Sequence, residues 1–124
     1  MDLDEIKTMK YILFAENNPE RIKDYNRRVD EFQVEYNSKF KLSFACDIVS
    51  ITGMIDLFKS DVKAMFINDK IDNVDVDESL VYAQKYGIPT ILLSEYQQET
   101  KADILMLEPI DRFTFNQMMG LYIK

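Results

Sequence analysis

The sequence predicts an α/β domain: one five-stranded parallel sheet with helices on both faces. Apolar runs alternate with segments of helical period along the whole chain, which is the signature of βα units. The first apolar run, residues 11–15, passes directly into Glu16, Asn17 and Asn18 and then into a helix opened by Pro19. Polar side chains thus fall at the carboxyl end of a strand, where open α/β sheets place their sites. The later runs are almost wholly apolar, as in strands covered on both faces.

The strands are read as Tyr11 to Ala15, about Lys41 to Ala45, Val62 to Ile67, Pro89 to Leu93, and about Ile104 to Leu107. After the first strand, Asn18 is a good helix cap and Pro19 a good first helical residue. Ile22, Tyr25, Val29, Phe32 and Tyr36 follow at helical spacing. A second helix, about Ser50 to Lys59, carries Ile51, Met54, Ile55 and Phe58 on one face. A third starts at Asp77 or Ser79, carries Leu80, Val81 and Ala83, and stops at Gly87. The last begins near Asp111 and turns Phe115, Met118, Met119 and Tyr122 inward. Only ten residues, Ser94 to Asp103, join strands four and five. A parallel pair needs a crossover of about a dozen residues or more to carry a full helix, so the helix expected there is shortened or missing. Residues 68–77, rich in aspartate and asparagine, form the longest candidate loop.

At 124 residues the chain fits a single domain, 1–124, with residues 1–9 as a polar lead-in. A domain of that size buries about two-thirds of its unfolded surface, enough for its own core. No apolar run approaches the ~20 residues of a membrane span, and Met1 to Lys10 does not read as a secretory signal. A single cysteine, Cys46, suits a reducing cytoplasm, and its expected place is a small buried apolar position. The net charge of −7 argues against nucleic acid and fits a basic protein partner better. With no histidine, imidazole catalysis and the usual zinc sites are excluded.

The order of these segments resembles bacterial response-regulator receiver domains over essentially all of the chain, which implies a flavodoxin-like fold. The family transfers a phosphoryl group to an aspartate at the end of strand three. Acidic residues at the end of strand one hold magnesium, a Ser or Thr follows strand four, and a lysine precedes a proline after strand five. On that resemblance Glu16 matches the first acidic position and Asn17 replaces the second, so magnesium affinity falls. Read without it, Glu16 is a solvated strand-end charge. Asn68 fills the phosphoacceptor position, and an amide lacks the anionic oxygen needed to form an acyl phosphate. Asp69 lies one residue further, on the opposite face of an extended chain unless a bulge intervenes. Ser94 matches the hydroxyl position, or else is a turn residue after its strand. Glu108, followed by Pro109, stands where the family has lysine, so an anion faces any phosphate. The resemblance also implies a cis Glu108–Pro109 bond, and Leu105 stands where the family commonly carries its switching aromatic.

These departures predict a degenerate pseudo-receiver: a phosphorylation-independent protein-interaction or adaptor module, not an enzyme, with any output domain supplied in trans because Lys124 follows the last helix directly. The expected contact surfaces are the last helix with the short connection before strand five, and the charged first helix. Tyr96 and Tyr122 are candidate anchors, or ordinary core and surface residues. The resemblance implies a homodimer through the same side. The alternatives are a residual phosphoacceptor at Asp69, or small-ligand or divalent-metal sensing. In the metal reading Glu16 and Asp69 converge with Glu108 and Ser94, and magnesium binds weakly. Against it stands Glu108 simply bonding the neighbouring asparagines. The three glycines, Gly53, Gly87 and Gly120, form no phosphate loop, and Cys46 has no histidine to activate it.

Overall fold

The computed structural model describes residues 10–36, 40–71 and 75–122. The predicted lead-in at 1–9 and the middle of the predicted loop, 72–74, lie outside them. The elements are β1 (Tyr11–Ala15), α1 (Pro19–Tyr36), β2 (Lys41–Ala45), α2 (Ile48–Phe58), a short 3₁₀ turn (Lys59–Asp61), β3 (Val62–Asn68), α3 (Asp77–Lys85), β4 (Thr90–Ser94), β5 (Ile104–Leu107) and α4 (Arg112–Tyr122). All strand pairs are parallel, in the order β2-β1-β3-β4-β5. This is the predicted flavodoxin-like fold, with the helix between β4 and β5 absent.

Alternation along each strand divides the core in two. Ile12, Phe14, Ala64, Phe66, Ile91 and Leu93 face α1 and α4, whose Tyr25, Val29, Phe32, Phe115 and Met119 close that layer. Leu13, Ala15, Met65, Ile67 and Leu92 face α2 and α3, which supply Ile51, Ile55, Leu80 and Ala83. Stacked Phe14 and Phe66 rings, with Phe115 tilted over Phe66, form the centre of the first layer.

Local chemistry sets the boundaries. The Asn18 carboxamide oxygen accepts from the backbone N–H groups of Glu20 (2.9 Å) and Arg21 (3.3 Å), which pins the start of α1 beside the end of β1. α2 begins two residues earlier than predicted because Asp47 is its cap, accepting from the Ser50 N–H at 2.7 Å. That bond holds the Asp47 carboxyl below its ordinary range. Cys46 is therefore not buried: β2 ends at Ala45, and Cys46 lies exposed as the single residue between the strand and the cap. β3 runs one residue past prediction to Asn68, and β4 is displaced by one, since Pro89 lacks the N–H a central strand needs. Tyr36 is exposed at the last position of α1, its ring against Phe32, Val81 is exposed on α3, and Met118 and Tyr122 are half-buried.

The edge position of β5 corrects the expectation that it is covered on both faces. Leu105 is half-buried and Leu107 is 47% exposed, because no helix follows β4 to cover that face, and Ile104, on the α1/α4 face, is also half-buried. Side chains hold the short connection instead. Asp103 accepts from the Thr90 N–H (2.8 Å) and hydroxyl (3.0 Å), the Asp103 N–H donates back to Thr90 Oγ1 (3.1 Å), and Gln84 reaches Thr90 and the Lys101 carbonyl. Thr90 is fully buried, so this clamp replaces a helix with a satisfied polar cluster. α4 is tied at its start by the Asp111 cap and by Arg112 to Glu35, and it is seated on the core by Phe115 and Met119. Phe115→Ala is expected to cost about 3–5 kcal/mol, read as a lower urea midpoint with an unchanged slope.

Candidate functional site

The sheet order reverses at β1, between β2 and β3, so the crevice beyond the carboxyl ends of β1 and β3 is the place such folds reserve for a site. Each strand end there is fixed by one further ladder bond: the Glu16 N–H to Ala45 O (3.0 Å), the Asp69 N–H to Leu93 O (3.1 Å) and the Glu108 N–H to Ser94 O (2.7 Å). The side chains that follow are aimed by the strands themselves.

Glu16 is buried, not a solvated charge. Its Oε1 accepts from the backbone N–H groups of Asn17 and Asn18, both at 3.0 Å, and its Oε2 from Arg21 Nε at 3.0 Å and Asn68 Nδ2 at 2.6 Å. All four donors are internal, so the carboxylate is saturated. Asn68 is an effective partner because its amide donates; its Oδ1 accepts from the Lys70 N–H at 2.8 Å. An aspartate in its place would set two carboxylates against each other.

Arg21, in the first turn of α1, joins this cluster to Glu108. Its Nη2 forms an ion pair with Glu108 Oε1, while Glu108 Oε2 accepts from the Tyr25 hydroxyl at 2.8 Å. Glu108 thus bonds Arg21 and Tyr25 rather than the asparagines. Burial pushes Tyr25 up to about 12, with the nearby Arg21 and Arg28 charges opposing it, so the phenol remains a donor at neutral pH. A cleft of about 530 Å³ opens beside Arg21, walled by Glu20, Asp24, Arg28, Glu95 and Glu108. The Glu108–Pro109 bond is cis, and Pro109 lines the same cleft.

Alternation sends the remaining residues elsewhere. Asp69 and Ser94 continue the α2/α3 face. Ser94 Oγ lies 2.9 Å from both Asp69 Oδ2 and the Tyr96 carbonyl, and Gln98 Nε2 donates to Asp69 Oδ2 and Ser94 Oγ at 2.8 Å each. The predicted pocket is therefore two clusters: Glu16, Asn68 and Glu108 around Arg21 on one face, and Asp69, Ser94 and Gln98 on the other. Asn17 is exposed and donates only its backbone N–H to the first cluster. The predicted convergence of Glu16, Asp69, Glu108 and Ser94 does not form, and among the described residues no three acidic, histidine or cysteine side chains group as a metal site. Tyr96 is 57% exposed, with Lys70 Nζ 5.9 Å from its ring centre, and Tyr122 rests partly buried against the α1/α4 core layer.

Arg21, Tyr25 and Gln98 were not among the site residues read from the sequence. A signal existed for Arg21: it stands five residues after Glu16, at the start of a helix folded back beside that strand end. Two acids in a pocket without lysine also require a counter-charge.

No family model matches the sequence, and no curated protein does. Solved structures do. A response regulator receiver domain protein from Clostridium thermocellum superposes with a TM-score of 0.76 at 9% identity, over 93% of this chain and 94% of its own. The receiver domain of the hybrid histidine kinase CckA gives 0.69 at 16% identity, over 92% and 99%. The signal receiver domain of an HD domain-containing protein from Pseudomonas fluorescens Pf-5 gives 0.70 at 15%, over 93% and 87%. The chain has the receiver fold; at these identities the likeness concerns architecture, and function must be argued from the site.

Removing Arg21 leaves two carboxylates without their shared cation. Arg21→Ala is expected to cost toward the lower end of the about 3–5 kcal/mol typical of broken buried pairs, since its side chain is 26% exposed. Adding Glu108→Gln to that variant should recover part of the loss in urea unfolding at neutral pH, because one uncompensated charge is gone.

Proposed function

We propose that this chain is a signalling module that keeps the receiver fold as a protein-binding surface and does not respond to aspartyl phosphate. The observation that carries the reading is the position of Arg21. Its guanidinium lies between Glu16 and Glu108 and satisfies from within the charges that a metal ion or a phosphate-holding cation would otherwise manage. Asn68 removes the nucleophile from that face, and Glu108 would repel a phosphoryl group. Binding would then be constitutive, or controlled by something other than phosphorylation at this pocket. Magnesium has no vacant carboxylate at Glu16 without displacing Arg21. No step of catalysis is assigned to the chain.

The surface proposed for the partner is the β5 side. Leu107, Tyr96 and, on the outer face of α4, Phe113 and Leu121 are all exposed, the last two at 71% and 66%. Glu95, Glu99, Asp103 and Asp111 are exposed in the segments next to them, which with the net charge of −7 favours a basic partner. No helix among the described residues is long and apolar enough to cross a membrane, and a cytoplasmic location is the setting proposed for such a module.

A second reading has one specific observation in its favour. Asp69 carries a carboxylate beside the Ser94 hydroxyl, so a residual phosphoacceptor there retains one of its customary neighbours. Among the described residues no cation is paired with it, and the adjacent Lys70 is directed to Glu95 at 3.3 Å. Incubation of the intact protein with acetyl phosphate and magnesium, followed by mass spectrometry, separates the two. The proposal expects no added phosphoryl mass, and amide NMR spectra unchanged at Asn68, Ser94 and Glu108 on addition of magnesium and then beryllofluoride. Phosphorylation abolished by Asp69→Asn would overturn it.

A further inference from the structure

Helix α2 carries an apolar stripe that the monomer does not use. Its inward face, Ile51 and Ile55, is fully buried against the sheet. On the outward face Val49 and Leu57 are 81% and 74% exposed, one helical repeat of four residues on either side of Gly53. A surface helix ordinarily turns polar residues outward, and one apolar on both faces is ordinarily covered on both.

Gly53 is the second observation. It has ordinary helical backbone, and a Cβ built on it meets nothing within 4 Å, so neither conformation nor packing inside this chain calls for glycine there. Glycine is the poorest helix former after proline, which makes its presence in the middle of an eleven-residue helix costly. A small residue at the centre of an apolar stripe does have a use where another helix crosses closely over it, because the two backbones can approach and the flanking side chains interlock.

We propose that α2 pairs with α2 of a second copy, antiparallel, across a two-fold axis at Gly53. A two-fold contact must be self-complementary, and this stripe is. In the antiparallel sense, positions equidistant from Gly53 come to one level, so Val49 of each copy meets Leu57 of the other. The charges at the helix ends agree. Asp47 lies six residues before Gly53 and Lys59 six after it, both exposed, so opposite charges meet at each end. A parallel pairing would set Asp47 against Asp47 and Lys59 against Lys59. The nearest other acid on this face, Asp56, is already engaged by the Tyr82 hydroxyl. This surface is separate from the β5 side, so pairing through α2 leaves the proposed partner surface open.

The test is sedimentation of the full chain from micromolar to near-millimolar concentration, with isotope-filtered NMR on a mixture of labelled and unlabelled protein. The expected result is a reversible monomer–dimer equilibrium with contacts between Val49 and Leu57 methyls of different copies. Gly53→Ala should move two readouts in opposite directions. The thermal midpoint of the dilute monomer rises by a few degrees, since alanine favours helix, while dimer association weakens about tenfold or more. Lys59→Glu should weaken the dimer without lowering the monomer midpoint comparably. A chain monomeric at every concentration would overturn the proposal. So would a dimer indifferent to Gly53→Ala and Lys59→Glu, one whose intermolecular contacts fall on Phe113 and Leu121, or contacts to Val49 and Leu57 from residues 1–9 of the same chain.

Discussion

The carboxyl end of this sheet depends on one guanidinium. Arg21 is the cation at which the ends of β1 and β5 meet, through Glu16 and Glu108, and Glu16 in turn anchors Asn68 at the end of β3. Taking these carboxylates out of water is costly, and the attraction of the pair roughly offsets that cost rather than adding a large net gain. Its weight lies in the asymmetry: with the cation present both carboxylates have a counter-charge, and without it two largely buried anions are left uncompensated. A plain guanidinium fork also suits the task, since one nitrogen serves each carboxylate where a lysine would serve only one well.

The same end of the molecule shows how the missing helix is accommodated. Where a helix would cover β4 and β5, Thr90, Asp103 and Gln84 tie the base of the connection, and Ser94, Asp69 and Gln98 tie its top. These clusters satisfy polar groups but cover little apolar surface, and Leu105 and Leu107 are left partly open at the sheet edge. The loss of the helix thus produces at once a stable short loop and an apolar margin beside acidic residues.

The sheet, its order of elements and most of the core were legible because period and apolar content are local properties of the sequence. Pro19 after Asn18 announced α1, and strict alternation placed Asn68 and Asp69 on opposite faces. The boundary errors have local causes too: Asp47 capped α2 before the periodic stripe began, and Pro89 could not join a central ladder. Cys46 was misplaced because composition alone favours burial, whereas its position between Ala45 and a cap exposes it. The site was only half legible. Family resemblance grouped Glu16, Asn68, Ser94 and Glu108 as one pocket, but Ser94 obeys the alternation of its own strand and turns to Asp69. Arg21 and Tyr25 come from a helix whose rotation about its axis is set by tertiary packing, and no local pattern marks which turn faces a strand end.

Whether Arg21 closes the pocket is read from the NMR signal of its guanidinium in the intact protein at neutral pH. A slowly exchanging Nε–H with resolved Nη protons is expected, because rotation about the guanidinium bonds is blocked by Glu16 on one side and Glu108 on the other. A guanidinium averaged by free rotation, like that of an arginine in solvent, would contradict it: the pocket would then be open, and its carboxylates available to a metal ion.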